Sequence, residues 1–353
     1  MNLIDEFELL SQLIKVIPEK KKYWLVRTQS GDLYETFRTN EFIALEHYEL
    51  SLSELNTIRN EFGNDYDKTY KAIRSLVEIK HEVKLNNDEE KARTISLIAS
   101  QICRFVFEVK KGDIVIIPSK NSDNVSFGTV LESHIGNFNN IEILKSGVDS
   151  LLKKRVEWLK EYDRERLEPD LFRIFTAHQA LNDINYYAQA IERTMNDLYV
   201  LNNEAHVIIN VGAEYKISAK DLFGFGYEIL ESIDEYASIH NLEINSQDLN
   251  VTINLNSPGK IDLKSTIKKT TLITAIIVGV MGGGLESKKG QFSLTSPGIS
   301  GILKSIDEFK THNQERRMRD QIFSQYKDSL QIKTPDDMIK LLKQFSENKD
   351  LPK

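Results

Sequence analysis

Arg173 and His178 stand five residues apart in the stretch Arg-Ile-Phe-Thr-Ala-His. On one helix an arginine and a histidine so spaced can share a cleft, the guanidinium holding a phosphate while the imidazole moves a proton, as metal-independent RNA cleavage requires. Fourteen arginines and seven histidines in 353 residues yield roughly 0.8 such pairs by chance over three usable spacings. The other reading of the pair is a solvated Arg173 and a His178 flanking a helix seam. A second arrangement is Asp262-Leu263-Lys264, with Asp248 upstream. An acid and a lysine two residues apart on a strand share a face, where a metal-dependent nuclease sets a cation-holding carboxylate beside a lysine. Glu78-Ile79-Lys80 and Glu108-Val109-Lys110 have the same form. The form recurs in a chain this rich in acids and lysines, where chance placement alone gives roughly five, so it does not by itself mark a site. Gly282-Gly283-Gly284 follows an apolar run and lacks a Lys-Ser/Thr in register, so it is no phosphate loop. No metal or cofactor is expected, and whether the chain is an enzyme stays open at this level.

Composition narrows the classes. The chain has 40% apolar and 28% charged residues, the profile of a globular protein, and its length implies two or three domains. A net charge of −7 and a pI near 5.7 leave no global basic field for a long polyanion, so a nucleic-acid role needs a local pocket. Cys103 is the sole cysteine, which excludes an internal disulfide and suits a reducing cytoplasm. The first residues carry acids and no continuous apolar core, unlike a signal peptide. They read as an amphipathic helix with Phe7, Leu10, Ile14 and Ile17 on one face. A cytoplasmic location is the expectation.

The elements that must position any site begin with the β-prone run Trp24 to Arg27 and a second at Phe42 to Leu45. Ser51 with Glu54 forms a capping-box pattern, and Gly63 supplies the stop. A helix carrying Tyr66, Tyr70, Ile73 and Val77 follows, then another carrying Ile95, Ile98, Ile102 and Phe105. Lys110-Lys111-Gly112 ends it, and Ile114 to Ile117 form an apolar strand closed by Pro118-Ser119 and paired with Phe127 to Val130.

The stretches Tyr23-Trp24-Leu25-Val26-Arg27, Phe42-Ile43-Ala44, Lys111-Gly112-Asp113-Ile114-Val115-Ile116-Ile117-Pro118-Ser119 and Phe127-Gly128 resemble, in this order, a PUA/EVE-like barrel over residues 20–135. Such modules stand at the N-terminus of Mrr-like and other bacterial modification-dependent restriction or antiphage proteins. The resemblance implies a barrel mouth that holds a flipped or modified base or a similar planar ligand. By position it implies Trp24, Arg27, Thr28, Phe42, Ser119 and Phe127 as ligand-binding residues. Stacking on aromatic rings contributes on the order of 1–3 kcal/mol per base. The competing reading places Trp24, Phe42 and Phe127 in the barrel core and Arg27 in a surface ion pair.

Residues 147–200 read as helical apart from Pro169. Ile174, Ala177, Leu181, Ile184, Ala188, Ile191, Met195 and Leu198 recur at 3-4 spacing, a seam for a homo-oligomer or for an internal antiparallel pair. Beyond it lie an expected hairpin over 205–217, a helix capped by Ser218, and strands around Asn250 to Leu255 and Ile261 to Leu263. Thr270 to Leu285 holds 16 uncharged residues flanked by lysines. As a helix it would span about 24 Å, short of the roughly 30 Å hydrocarbon core, so a buried helix is favoured over membrane contact.

The predicted architecture is α/β (α+β): a recognition module over 1–135 built as a small β-barrel with inserted helices, a helical connector over 146–202, and an antiparallel sheet with helices over 203–353. The expected function is an antiphage-defence protein. Its barrel recognises a nucleic-acid base, nucleotide or similar planar ligand and couples this to the C-terminal domain. The alternatives are a nuclease, HEPN-like through Arg173 and His178 or metal-dependent through Asp262 and Lys264, and a membrane-perturbing effector through 270–285.

Overall fold

A computed structural model describes residues 3–45, 50–63, 65–80, 88–132, 152–212, 217–254, 259–280, 286–287, 290–291, 300–312, 314–332, 336–337 and 340–341. The fold is mixed α/β and divides into two units, one of residues 20–191 and one of residues 1–19 with 192–353. Helix α1 (Leu3–Ser11) opens the chain. It is shorter than its apolar spacing suggests, and Ile14 and Ile17 are buried beyond its end.

In unit 20–191, β1 (Tyr23–Val26), α2 (Tyr34–Thr39) and β2 (Phe42–Leu45) come first. Three helices follow, α3 (Leu52–Phe62), α4 (Tyr66–Lys80) and α5 (Asp88–Cys103), and then β3 (Ile114–Pro118) and β4 (Asn124–Val130). The α3 capping box is present, with Ser51 accepting from the Glu54 N–H and Glu54 accepting in return. Apart from α2, which lies outside the sequence expectation, these elements follow it; the next does not. Residues 152–163 form the strand β5 (Leu152–Asp163), not a helix. Their apolar positions fit either period, and two partner strands decide between them. β5 pairs with β2 on one side and β4 on the other, satisfying its backbone across the sheet. The boundary expected near residue 135 therefore gives way to a unit that runs to 191.

β6 (Leu181–Asp183) completes a sheet of order β2-β5-β4-β3-β1-β6. Every neighbour is antiparallel except β1 and β3, which are parallel. Among the described residues β2 does not meet β6, so the barrel expected is a half-barrel. α3, α4 and α5 are inserted between β2 and β3, and their buried Leu55, Ile73, Ile98 and Ile102 join Trp24, Val115 and Val156 of the sheet in one core.

The seam predicted over 174–198 is not a helix. Those residues are divided among a 3-10 helix (Pro169–Thr176), β6, α6 (Ala188–Met195) and the start of β7 (Leu198–Leu201). The ground for an oligomer through that seam goes with it. Buried Leu181 and Leu198 are explained by strands, whose inward residues can fall at seven-residue intervals by coincidence.

The other unit carries an antiparallel sheet of order β7-β8-β10-β9, built from β7, β8 (Glu204–Val211), β9 (Asn250–Asn254) and β10 (Gly259–Thr266). Asn202 and Asn203, both with positive φ, turn β7 into β8. β8's hairpin partner is thus β7, where the sequence suggested a strand after Gly212, and residues 213–216 lie outside the described residues. α7 (Ala219–Ile239) starts at the Ser218 cap. α8 (Ile267–Val280) buries Ile273, Ile276 and Ile277 in the core with Val207, Ile209, Phe225 and Ile233. The first eleven residues of the apolar segment thus belong to a core helix, and 281–285 lie outside the described residues. α9 (Ser300–Thr311) and α10 (Gln314–Ser329) add Ile302, Ile306, Phe309 and Phe323 to that core.

Candidate functional site

Strand direction places the candidate site. β1 and β3 are parallel, β4 opposes β3, and β5 opposes β4, so β1, β3 and β5 all end on one rim of the half-barrel. The residues after their ends, Arg27 and Thr28, Ser119, and Arg164, meet there around a cavity of about 320 Å³. β6 starts at the same rim, opposite Val26, and the preceding 3-10 helix contributes Phe172, Phe175 and Thr176. Two tight turns, at 28–31 and 119–122, complete the wall.

Those turns are built from left-handed residues. Ser30, Gly31, Asn121 and Ser122 all have positive φ. At Gly31 (φ +104°) a Cβ would lie 2.3 Å from the Lys120 backbone nitrogen, so only glycine lets the two turns close on one another. Thr28 is buried, and its hydroxyl donates to the Pro118 carbonyl at 2.6 Å. The Ser119 hydroxyl accepts from the Asn124 N–H at 2.8 Å.

The two arginines converge on Phe175. Arg27 donates Nη1 to the Phe175 carbonyl at 3.0 Å, while the Arg164 guanidinium lies 5.8 Å from the Phe175 ring centroid and 5.3 Å from that of Phe172. Arg164 also donates to the Asn121 carbonyl at 3.2 Å. Among the described residues no carboxylate lines the cavity and neither guanidinium is in an ion pair. Apart from its two rings, the wall offers guanidinium N–H groups and the Asn121 amide as donors, while the Thr28, Ser119 and Thr176 hydroxyls donate to the Pro118, Lys120 and Arg173 carbonyls.

Three of the six residues suggested by the resemblance, Arg27, Thr28 and Ser119, line this cavity. The other three do not. Trp24, Phe42 and Phe127 are fully buried. Trp24 donates its indole N–H to Asp113 at 3.0 Å, a carboxylate that also accepts the backbone N–H groups of Lys22 and Lys110. Phe42 packs against Phe37, and Phe127 meets Tyr162 edge-on. Strand aromatics with alternating inward positions fill a small half-barrel, leaving the rim loops to provide the open rings. Phe172, Phe175 and Arg164 were missed because they sit in a stretch whose apolar spacing imitates a helix. Pro169 in the first turn was the available signal of a short, tight one.

The nuclease candidates are dispersed. Arg173 lies on the 3-10 helix and His178 beyond it, both exposed, so no shared α-helix aligns them. Asp262 is buried on β10, with His206 Nδ1 at 3.1 and 3.2 Å from its two oxygens and Arg193 Nη1 at 3.5 Å. Tyr199 stacks on His206 at 4.8 Å. Lys264 pairs with Glu204 at 3.3 Å and Asp248 with Lys269 at 2.8 Å. The acid and lysine thus have different partners, and the buried His206–Asp262 pair holds the sheet's polar face together. Among the described residues no cluster of three or more His, Cys, Asp or Glu is placed to bind a metal, and no helix is long and apolar enough to cross a membrane. Cys103 is buried, and desolvation pushes its thiol up to about 12, which suppresses the reactive thiolate.

Comparison of this chain with protein-family models, curated proteins and solved structures finds no match.

Proposed function

We propose that this chain is a recognition protein whose N-terminal unit binds a nucleic-acid base, nucleotide or similar planar ligand in the rim cavity and couples occupancy to the C-terminal unit. The supporting observation is the pair of guanidiniums that, among the described residues, have no carboxylate partner and stand with two phenylalanine rings in one cavity. A flat, electron-rich heterocycle gains from stacking on an arginine plane or an aromatic ring. Carbonyl or ring-nitrogen acceptors on its edge would meet the donors of the wall. The turns that build the cavity are held by internal hydrogen bonds and by close packing at Gly31, so little ordering is left for the ligand to impose.

A role in antiphage defence is the biological setting suggested by the likeness of residues 20–135 to PUA/EVE-like modules, and it is part of the proposal on that ground. The test is calorimetric titration of the full chain with mononucleotides and short single-stranded oligonucleotides. Arg164→Ala should weaken binding by about tenfold or more, as expected for loss of a stacked, charged donor. Equal affinity in a folded Arg164→Ala protein would sink the assignment of the cavity.

A further inference from the structure

We infer that the ligand carries a terminal phosphomonoester on a nucleoside, and that Arg27 and Arg164 take that group together. This rests on the cavity being the ligand site, as proposed above, and goes further by naming the group that the arginines serve.

Charge is the first argument. Arg27 and Arg164 are half-buried, and two positive charges in one cavity whose lining holds no carboxylate among the described residues favour an anionic ligand. A phosphomonoester carries about −1.5 to −2 charges near pH 7, whereas an internal phosphodiester carries a single one. Two guanidiniums match the former. Donor supply is the second. Each guanidinium presents five N–H groups, and among the described residues each donates one hydrogen bond to a main-chain carbonyl. Those two bonds fix the orientation and leave donors on both arginines for oxygens of the ligand.

Position is the third. Phe175 holds both cations, Arg27 at its carbonyl and Arg164 over its ring, so both guanidiniums lie beside one residue of the cavity wall. The Phe172 and Phe175 rings line the same cavity and supply its aromatic surface. Size is the last. About 320 Å³ lies at the small end of ligand cavities, which run from about 300 to 1,000 Å³, and matches one nucleotide unit.

The phosphomonoester has two sources, a free mononucleotide or the 5′ end of a phosphorylated strand, and the experiment separates them. The full chain is titrated with inorganic phosphate, the four ribonucleoside 5′-monophosphates, the four matching nucleosides, and a tetranucleotide with and without a 5′-phosphate. Wild type is compared with Arg27→Gln, Arg164→Gln and Arg164→Lys, with Arg173→Gln as an exposed control outside the cavity. The expected result is that phosphorylated ligands bind at least about tenfold tighter than their unphosphorylated twins. That ratio should collapse in either glutamine variant, recover in part in Arg164→Lys, and persist in Arg173→Gln. Preference for the mononucleotide over the phosphorylated tetranucleotide identifies a free nucleotide, and the reverse identifies a strand end. If nucleosides bind as well as monophosphates and Arg164→Gln abolishes both, the phosphate assignment is overturned while the cavity reading stands. If no ligand shows cavity-dependent binding, both fall.

Discussion

Lys154 is fully buried on β5, where its ammonium donates to the Val109 carbonyl and lies 5.7 Å from the Phe105 ring centroid. Burial, with Arg59 nearby, pushes its pKa down to about 7 from 10.5. Below about pH 7 both folded and unfolded chains hold this proton, and the folded state bears the cost of a desolvated cation. Between about 7 and 10.5 the unfolded chain keeps the proton that the folded chain has released, so Lys154 makes stability rise with pH across that window. Lys154→Met should abolish this contribution. Urea denaturation at pH 6, 8 and 10 should show a wild-type stability gain with pH that is smaller in the variant, and parallel profiles would refute the assignment. Gly31 acts at the same scale but sterically, since the turn carrying Ser30 can approach Lys120 only without a side chain. Neither property is visible in a residue's identity. A lysine in a sequence reads as surface, and only the folding of β5 beside β2, Val109 and Phe105 puts this one inside.

At the scale of elements, α3 shows local chemistry at work. Glu54 is held down to about 2, first by its hydrogen bond to Lys80 on α4 and then by the Ser51 backbone and hydroxyl. Its folded pKa is depressed, so its contribution is present above about 4.5 and is lost as pH falls from there toward 2. Glu54 is partly exposed, which limits the gain to about 0.5–1 kcal/mol after solvent screening. Glu54→Gln should therefore lower the unfolding free energy at pH 6 and converge on wild type near pH 2.5. A gap of the same size at both pH values would assign the effect to something other than this carboxylate. The capping box was legible in the sequence because its partners are three residues apart. β5 was not, because apolar residues at 152, 156 and 159 satisfy a helical period and only β2 and β4 make the strand cheaper.

At the scale of the whole chain, two cores coexist. One gathers Trp24, Phe42, Ile73 and Val156 within residues 20–191, and the other gathers Val207, Phe225, Ile276 and Phe323. Trp24→Ala removes a fully buried indole and one partner of Asp113, at an expected cost of about 3–5 kcal/mol. Phe225→Ala should cost a similar amount in the other unit. Hydrogen exchange resolved along the chain should show Trp24→Ala raising exchange in β1, β3 and β4 well before β8 and β10, with the converse for Phe225→Ala. Uniform acceleration in both variants would mean that the two cores unfold as one. Loss of ligand binding in Trp24→Ala would then report an unfolded half-barrel, not a lost stacking partner.

The amino-acid order alone determined the mixed α/β class, the first four strands, helix α3 with its caps, and helices α4 and α5. These depend on contacts within a few positions or on turn chemistry that glycine, proline and serine announce. Tertiary structure decided the rest: β5 as a strand, the division at residue 191, the burial of Trp24, Phe42 and Phe127, and the meeting of Arg27 with Arg164. The reason is distance along the chain. Arg27 and Arg164 are brought to one rim by the shared direction of β1, β3 and β5, and strand direction is a property of pairing that no local pattern encodes.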